Sequence, residues 1–550
     1  MSSDVSRLKR FGVKGVATLV LLNCLLLVPS WIVHGRPGPH LFALEAGIVV
    51  GMFLVLPRHR LSRALALTVS ATTVVLAVLL LADATARLSL GRPLNLYLDV
   101  RLVRSVSHLL DGNLGAGWGP VALAAIGAVG AAAAWGLYRL LASLRPRGRM
   151  RDLSGNWWLR GALLVSACTL LIPLRWIHPR GVVFALPSVQ LVRDQSAHLT
   201  RMLGERERFS AEMAASPRAY RSDPSFLGRL GNRDVVLAFI ESYGVSAVED
   251  ARYAPLVQPR LRAMEAAFDR AGIHVATGLL VAPSQGGMSW LGHGSVLSGL
   301  WLENQLRYDL LMASDRATLV DDFEAAGYRT AALMPAITLA WPEGQRLGYD
   351  QIWTYHDIDY AGPPLNWVTM PDQFTWSFLE NTIRAGGDGR PLFAELGLIS
   401  SHAPWTPILE VLDDWDAIGN GRVFQRWKDA GESPEELWRD VDRVREHYAR
   451  SVGYALDALS GYALRYLDEG TLLVAMGDHQ PAPLITGDSA SRAVPVHVMA
   501  TSPELLGPFL DWGFTLGATP SIESSPRRMD AFRHWFVSAY SEPYAVVAQE

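Results

Sequence analysis

Five apolar stretches near the start of this chain limit what it can fold into. They cover residues 13–33, 41–56, 65–81, 121–141 and 163–177 of a 550-residue sequence. Each approaches the roughly 20 residues that a helix needs to cross a lipid bilayer. The second and the fifth are short or interrupted, so a count that differs by one remains open. The sequence therefore predicts an N-terminal multi-pass α-helical membrane bundle.

The positions of positive charge predict how this bundle is oriented. Arginine, lysine and histidine precede the first stretch, lie between the second and third, and lie between the fourth and fifth: Arg7, Lys9, Arg10, Arg58, His59, Arg60, Arg63, Arg145, Arg147, Arg149 and Arg151. With five spans these all fall on one side, which should be the cytoplasm. The first stretch has no small-residue cleavage site, which indicates an anchor. We expect a multi-pass protein of the bacterial inner (cytoplasmic) membrane whose later residues are extracytoplasmic.

The pattern changes after residue 180. Residues 181–231 are charged and contain prolines, which is typical of a linker arm, and residues 232–550 have the mixed composition of a globular domain. Six short apolar runs (235–240, 273–280, 330–334, 392–399, 471–477 and 494–500) alternate with amphipathic helices at about 257–271, 317–326 and 436–468. This alternation predicts an α/β domain with a mainly parallel sheet covered by helices on both faces. The expected domains are 1–180, 181–231 and 232–550.

Composition excludes some functions. The formal net charge is −3 and the second half of the chain has no basic run, so nucleic acid is not an expected partner. The two cysteines, Cys24 and Cys168, both lie in apolar segments and cannot form a disulfide framework for the globular domain. Glu45 is the one charged residue of note in a span, and it lies near a span end, which gives a transporter little support.

Polar residues stand where predicted strands end, which is where parallel α/β sheets form ligand sites. Glu241 follows the run 235–240, and Asp478 and His479 follow the run 471–477. Ser289 follows two glycines at the start of a predicted helix, where free N–H groups favour a phosphate or sulfate ester. Taken singly, Glu241 is better explained as a helix N-cap or a solvated turn, and Ser289 as a helix N-cap. Together the four predict a three-ligand metal site with a nucleophilic hydroxyl as fourth ligand.

These motifs resemble a known group of enzymes. Glu241-Ser242 after a first strand, the Gly-rich hydroxyl turn, SSHAPW at 400–405 and GDHQP at 477–481 are similar to the sulfatase-like branch of the alkaline phosphatase superfamily. Five spans before such a domain look most like lipoteichoic acid synthases, phosphoglycerol transferases and lipid A phosphoethanolamine transferases. The motifs extend over roughly residues 232 to 505. The resemblance implies an alkaline-phosphatase-like (sulfatase-like) fold for the globular domain.

The resemblance also implies roles for single residues. Glu241, Asp478 and His479 would bind one divalent metal, Zn²⁺ or Mn²⁺, and Ser289 would be modified transiently. His402 matches the family histidine that contacts the transferred phosphate or the leaving group; a histidine satisfied inside a Pro-rich loop is the alternative. Two more histidines could face the same pocket or serve as structural residues, and five tryptophans could stack on a sugar or pack in the core: His293, His497, Trp290, Trp301, Trp341, Trp367 and Trp405.

The nucleophile position departs from the resembling transferases, which usually carry threonine. Here the turn reads Gly-Gly-Met-Ser, and a shift by one residue would put Met288 in that position. A thioether cannot attack phosphorus, so Ser289 is preferred, with Ser284 and Ser295 as alternatives. Sulfatases need a C/S-x-P-x-R sequence; the one match, which begins at Ser524, comes after the metal motif and is in the wrong place.

The leading functional hypothesis is a transferase. It would move a phospholipid-derived head group, phosphoethanolamine or phosphoglycerol, from a membrane phospholipid to a glycan or lipid acceptor of the cell envelope. A membrane-bound phosphodiesterase or sulfatase-like hydrolase would use the same residues, with water as the acceptor. An inactive protein of envelope assembly is the third possibility.

Overall fold

The computed structural model describes residues 2–34, 41–100, 117–145, 184–215, 226–487, 490–521 and 525–541, together with isolated positions between 103 and 115. The fifth predicted span at 163–177 lies outside the described residues. So do Cys168, Ser524 and the arginines at 147, 149 and 151. The chain divides into two compact units: Met1–Leu88 with Arg92–Gly204, and Ser89–Gly91 with Glu205–Glu550.

The first unit is helical. Its helices are α1 (Ser2–His34), α2 (Leu44–Val55), α3 (Arg60–Leu90), α4 (Leu96–Asp99), α5 (Trp118–Leu144) and α6 (Pro187–Ala215), of which α3 and α6 run past its boundaries. Buried side chains of α1, α2 and α5, among them Leu26, Phe53 and Leu141, form its apolar core.

Three helices among the described residues are long and apolar enough to cross a membrane: Val13–Val33 within α1, Arg60–Leu90 and Trp118–Leu144. They coincide with the first, third and fourth predicted spans. The second predicted span corresponds to α2, which has only 12 residues. At 1.5 Å per residue this helix covers about 18 Å, less than the roughly 30 Å of a hydrocarbon core. It ends before Pro57, because the residue that precedes a proline is disfavoured in helical conformation.

The second unit is built on one sheet of nine strands. They are β1 (Asp234–Ile240), β2 (His274–Val281), β3 (Arg329–Met334), β4 (Gln351–Thr354), β5 (Leu392–Leu398), β6 (Thr471–Gly477), β7 (Ala493–Ala500), β8 (Thr515–Leu516) and β9 (Arg527–Arg528). The order is β8-β2-β7-β6-β1-β5-β3-β4, with β9 beside β2. The pairs among β4, β3, β5, β1 and β6 are parallel, whereas β7 is antiparallel to both β6 and β2. All six apolar runs are strands, which confirms the prediction of a mainly parallel sheet.

Helices cover both faces of this sheet. They are α7 (Ser246–Glu249), α8 (Ala254–Ala271), α9 (Ser289–Ser298), α10 (Gln305–Met312), α11 (Leu319–Ala325), α12 (Pro342–Leu347), α13 (Asp372–Phe378), α14 (Pro434–Leu437), α15 (Val441–Tyr466), α16 (Pro483–Thr486), α17 (Gly507–Asp511) and α18 (Ala531–Tyr540). The helix predicted at 436–468 is two helices, because the Asp440 side chain accepts hydrogen bonds from the N–H groups of Asp442 and Arg443 and starts α15.

Strand β1 shows why both faces are apolar. Val236, Ala238 and Ile240 belong to one buried cluster, with side chains of α8, α13 and α15. The residues between them, including Leu237 and Phe239, belong to a second cluster with side chains of α9, α11 and α18. Successive strand residues point to opposite faces, so a strand buried on both sides reads as a continuous apolar run. The sheet therefore lies between two helical layers, and its strand ends carry the polar residues.

Candidate active site

Three of the predicted ligands stand at the ends of two neighbouring parallel strands. Glu241 directly follows β1, and Asp478 and His479 directly follow β6. Ile240 pairs with Gly477 at the last step of the β1–β6 register, and the Asp478 N–H donates to the Ile240 carbonyl over 3.2 Å. The parallel register thus brings these residues to one edge of the sheet although they are far apart in sequence.

Glu241, Asp478 and His479 form a compact cluster suited to a metal ion. One possible ligand atom from each residue lies within 4.8 Å of the others. His479 Nε2 lies 3.4 Å from Glu241 Oε1 and 3.7 Å from Asp478 Oδ2. The Nδ1 atom of His479 donates to the Gln480 carbonyl over 2.9 Å, and a carbonyl can only accept, so in the neutral ring Nε2 carries the lone pair. Two carboxylates and one imidazole with a bare nitrogen fit a divalent metal.

Ser289 completes the cluster. Its Oγ atom lies 3.3 Å from Glu241 Oε2 and 3.3 Å from His479 Nε2. Ser289 is the first residue of α9, so the unbonded N–H groups and the positive end of the helix face the same space. The turn before Ser289 has φ values of +73° at Gly286 and +140° at Gly287, a backbone conformation that residues other than glycine rarely adopt. The structure thus brings all four predicted residues together.

The alternative positions for the hydroxyl lie elsewhere. Met288 packs its side chain against a small apolar cluster that includes Leu291 and Tyr308. The Ser284 hydroxyl is directed to the Met288 carbonyl over 3.5 Å, and the buried Ser295 hydroxyl accepts from the Leu302 N–H over 3.0 Å. Of the four candidates, Ser289 is therefore the one whose side chain reaches the cluster.

Ser242 orients two of the acidic ligands at once. Its N–H donates to Asp478 Oδ1 over 2.8 Å, and its hydroxyl donates to Glu241 Oε1 over 2.7 Å. To do both, Ser242 takes a φ of +55°, which is unfavourable for a residue with a side chain. Its carbonyl accepts from the buried Tyr448 hydroxyl over 3.0 Å, which holds this turn in place. Strained backbone of this kind clusters at functional sites.

The pKa values of the three ligand side chains depend on one another. Burial raises the pKa of Asp478 to about 6, and the neighbouring Glu241 charge adds to the rise. Burial also acts to raise the pKa of Glu241, but His479 and His402 outweigh it and leave that pKa below its usual value. Burial acts to lower the pKa of His479, but the charges of Asp478 and Glu241 outweigh it and leave that pKa above its usual value. The cluster therefore favours a positive charge at its centre.

His402 lies on a loop that is tied to the cluster. The Ser401 hydroxyl donates to the Glu241 carbonyl over 2.5 Å, and the Trp405 indole donates to the Ser401 carbonyl over 2.7 Å. Asp372 is fully buried and accepts from the N–H groups of Ile399 and Ser400, each over 2.8 Å, which fixes the start of the loop. The half-buried His402 imidazole stacks beside Trp367 with ring centroids 6.4 Å apart, and it acts electrostatically on Glu241.

The other two predicted histidines have different surroundings. His293 donates from Nδ1 to Glu395 Oε1 over 2.8 Å, four residues beyond Ser289 on α9. His497 is fully buried on β7, where the hydroxyls of Tyr243 and Thr277 each lie 3.0 Å from one of its ring nitrogens. Because Thr277 already donates to the Gly517 carbonyl, it accepts from His497 Nδ1, and Tyr243 donates to Nε2. His497 is thus a satisfied core histidine, and burial lowers its pKa to about 4.

The predicted tryptophans differ in their exposure and in their neighbours. Trp405 is buried, stacks on Trp438 with ring planes 2° apart and contacts Tyr448, so its faces are occupied by protein. Trp290 is 40% exposed next to Ser289, and its indole N–H donates to Gln305 over 2.9 Å. Trp301 lies under the guanidinium of Arg528. Trp341 lies near Tyr349, with ring centroids 6.5 Å apart.

Sequence reasoning missed several residues that support the site, among them Asp372, Glu395 and Tyr349. Glu395 is 1% exposed within β5, and it accepts from both His293 and the Tyr349 hydroxyl. A charged residue inside the otherwise apolar run LFAELGLI was the signal that could have identified it. Asp372 had no such signal, because an Asp at the start of a helix is common.

The chemistry open to this arrangement is displacement at an ester. A hydroxyl at the position of Ser289 can act as a nucleophile, and the ligand cluster beside it can hold a divalent cation that lowers the pKa of such a hydroxyl. The start of α9 offers N–H groups to the oxygens of a phosphoryl or sulfuryl group.

No protein-family model matches the chain, and no curated protein matches it in sequence. Solved structures that match include the lipoteichoic acid synthase LtaP from Listeria monocytogenes, with 13% identity over 53% of this chain and 71% of that protein and a TM-score of 0.33. The phosphoglycerol transferase GacH from Streptococcus pyogenes, in complex with sn-glycerol-1-phosphate, has 11% identity over 61% of this chain and 89% of that protein and a TM-score of 0.36. The C-terminal periplasmic domain of EcEptC from Escherichia coli, in complex with zinc, has 13% identity over 56% of this chain and 82% of that domain and a TM-score of 0.34. These proteins are of the kind that the sequence motifs resemble.

Proposed function

We propose that this protein is a membrane-anchored, metal-dependent transferase. It takes a phosphoethanolamine or phosphoglycerol head group from a membrane phospholipid and passes it to a glycan or lipid acceptor of the cell envelope. The observation that carries the proposal is the position of Ser289 at the start of α9. Its Oγ lies 3.3 Å from Glu241 Oε2 and 3.3 Å from His479 Nε2, two residues of the three-ligand cluster. A hydroxyl in that place is suited to become a nucleophile toward phosphorus.

Each residue has a part in this reaction. Glu241, Asp478 and His479 would hold one Zn²⁺ or Mn²⁺, which when bound supplies positive charge that acidifies the Ser289 hydroxyl and offsets charge on the phosphoryl group. Ser289 attacks phosphorus and the diacylglycerol oxygen departs, which leaves a phosphodiester on Ser289. The acceptor hydroxyl then displaces Ser289. His402 contacts the phosphoryl oxygens or the leaving group from the neighbouring loop.

The anchor supports a lipid donor. Helices long and apolar enough to cross a membrane hold the chain where phospholipids are confined, which raises the effective donor concentration. We place the globular unit on the extracytoplasmic side, as the five spans predicted from the sequence require when the positive residues before the first span lie in the cytoplasm.

The test uses the full-length protein in vesicles of phosphatidylethanolamine and phosphatidylglycerol with labelled head groups. Wild type should release diacylglycerol and carry the label on the peptide that contains Ser289, and Ser289→Ala should do neither. Ser284→Ala is the matched control, because this nearby hydroxyl does not reach the cluster, and it should retain activity. Label found on an added envelope glycan or lipid means transfer, and label found only as free head group means hydrolysis. A wild-type protein that consumes neither phospholipid contradicts the proposal.

A further inference from the structure

A buried carboxylate lies behind the helix that carries Ser289. Glu395 occupies the middle of β5 on the face covered by α9, and it is 1% exposed. Its Oε2 accepts from the Tyr349 hydroxyl, and its Oε1 lies 2.8 Å from His293 Nδ1. A charge in this place is costly unless it is paired and hydrogen-bonded. The buried positions on this face of the sheet are otherwise mostly apolar. The Glu395 carboxylate is therefore an exception, and His293 and Tyr349 are the residues that pair with it.

Several contacts fix the direction of the His293 ring. The ring stacks on Phe239, with centroids 3.7 Å apart and planes 18° apart. Phe239 is the last residue but one of β1, and it lies on the face of the sheet that α9 covers. Nδ1 is turned toward Glu395, and Nε2 is on the opposite edge of the ring. The side chain is still 16% exposed although one face and one nitrogen are covered.

The His293 side chain lies on the side of α9 that carries Ser289. His293 is four residues after Ser289, so both side chains are on one face of α9. The backbone of the same helix lies against Asp478, because a Cβ added at Gly292 would be 2.7 Å from the Asp478 carbonyl oxygen. His293 also acts electrostatically on the Asp478 carboxylate. The His293 ring is thus within electrostatic reach of the Asp478 carboxylate, on the face of α9 that carries Ser289.

We propose that His293, oriented by Glu395, is a second imidazole of the active site that exchanges a proton with the leaving and attacking alcohols. This inference rests on the transferase function proposed above. A histidine held at one nitrogen by a carboxylate and open at the other is the arrangement that general acid–base catalysis uses. Glu395 is a positioning residue, since it acts through His293.

The proton balance closes over the two displacements. In the first, the Ser289 hydroxyl proton passes to water and Oγ bonds to phosphorus. The bond from phosphorus to the diacylglycerol oxygen breaks, and that oxygen takes the proton from His293 Nε2. In the second, the acceptor oxygen bonds to phosphorus, the bond from phosphorus to Ser289 breaks, Ser289 Oγ takes a proton back from water, and the acceptor proton moves to His293 Nε2. His293 ends the cycle as it began.

The test compares two leaving groups on one transferred group. An alkyl alcohol such as diacylglycerol needs a proton as it departs, whereas nitrophenolate does not. Full-length wild type, His293→Gln and Glu395→Gln are mixed with labelled phospholipid or with the nitrophenyl phosphodiester of the same head group, and the first turnover is followed. For His293→Gln we expect a loss of about 10²- to 10⁴-fold with the phospholipid and a loss below about tenfold in nitrophenolate release. Glu395→Gln should change the two rates in the same unequal way, to a smaller extent.

The ratio of the two rates within one preparation does not depend on how much protein is folded, so a partly unfolded variant still gives a result. His356→Gln is the matched control, because this exposed histidine bonds only the Thr338 carbonyl in the described part of the chain, and it should leave both rates unchanged. Equal losses with both substrates in His293→Gln overturn the inference and leave the transferase proposal intact. A wild type that acts on neither substrate overturns both.

Discussion

The double contact of Ser242 with the acidic ligands leads to a quantitative prediction about metal affinity. Ser242→Ala removes the hydroxyl that donates to Glu241 Oε1 over 2.7 Å but keeps the backbone N–H that donates to Asp478. A hydrogen bond to a charged group contributes about 1.5–3 kcal/mol. If that energy holds Glu241 in its ligand position, the Kd for Zn²⁺ or Mn²⁺ should rise by roughly 10- to 100-fold, the range typical of residues that orient metal ligands.

A second substitution at the same position separates the hydrogen bond from backbone strain. Ser242→Gly loses the same hydroxyl, but glycine adopts the φ of +55° readily. The two variants should therefore lose metal affinity equally, while the glycine variant is more stable than the alanine variant by about 1 kcal/mol. Competition between the full-length protein and a chelator of known affinity measures the Kd, and thermal unfolding measures the stability.

Ser284→Ala is the control, because its hydroxyl lies in the same region and, within the described residues, makes only a 3.5 Å contact with the Met288 carbonyl. Its metal Kd should equal that of wild type. Unchanged metal affinity in both Ser242 variants would refute the reasoning that this hydroxyl orients Glu241. A loss in Ser242→Ala alone would instead mean that backbone strain, and not the hydrogen bond, controls the ligand position.

Three further predictions follow from the described contacts. Burial lowers the pKa of His497 to about 4 from an ordinary 6.5, so its contribution to the free energy of unfolding is full above pH 6.5 and is lost as the pH falls to 4, by about 3 kcal/mol. The free energy of unfolding, measured against pH, should therefore change less over this range in His497→Gln than in wild type. Arg533 is buried and pairs with Asp322 over 2.7 and 2.9 Å, so Arg533→Met should lower the free energy of unfolding by about 3–5 kcal/mol, and adding Asp322→Leu should recover most of it in denaturant unfolding. Metal at about 100 times its Kd should stabilise the protein by about 2.7 kcal/mol in thermal unfolding, and chelation should remove this gain in wild type but have no effect in a Glu241→Gln variant that no longer binds metal.

The fold was largely predictable because the sheet is buried on both faces. Runs such as 235–240 and 471–477 are apolar throughout, and all of them are strands in the structure. Strand β4 at Gln351–Thr354 was missed because four residues with a polar start give no clear period. The antiparallel direction of β7 could not be predicted, because strand direction depends on the connections and not on the apolar pattern.

The candidate site was predictable where several residues had to act together. Glu241, Asp478, His479 and Ser289 each had an ordinary structural explanation, and only their combination at strand ends indicated metal chemistry. The interpretation of His497 and Trp405 as residues of the substrate pocket did not depend on a combination of this kind. Their neighbours decide their roles: Tyr243 and Thr277 occupy both nitrogens of His497, and Trp438 covers Trp405. Such contacts arise from the packing of distant segments, which the sequence does not display.

The register between β1 and β6 has a consequence for how the protein matures. The hydrogen bond from Ser242 to Asp478 joins residues 236 positions apart, so the ligand cluster exists only after almost the whole domain has been made and its two central strands have paired. Strand pairing between residues so far apart in sequence is slow, because the entropy of closing a large loop is lost before the native contacts form and offset it. Metal uptake should therefore come late in folding, and a chain that stops before residue 471 should have no ability to retain the ion.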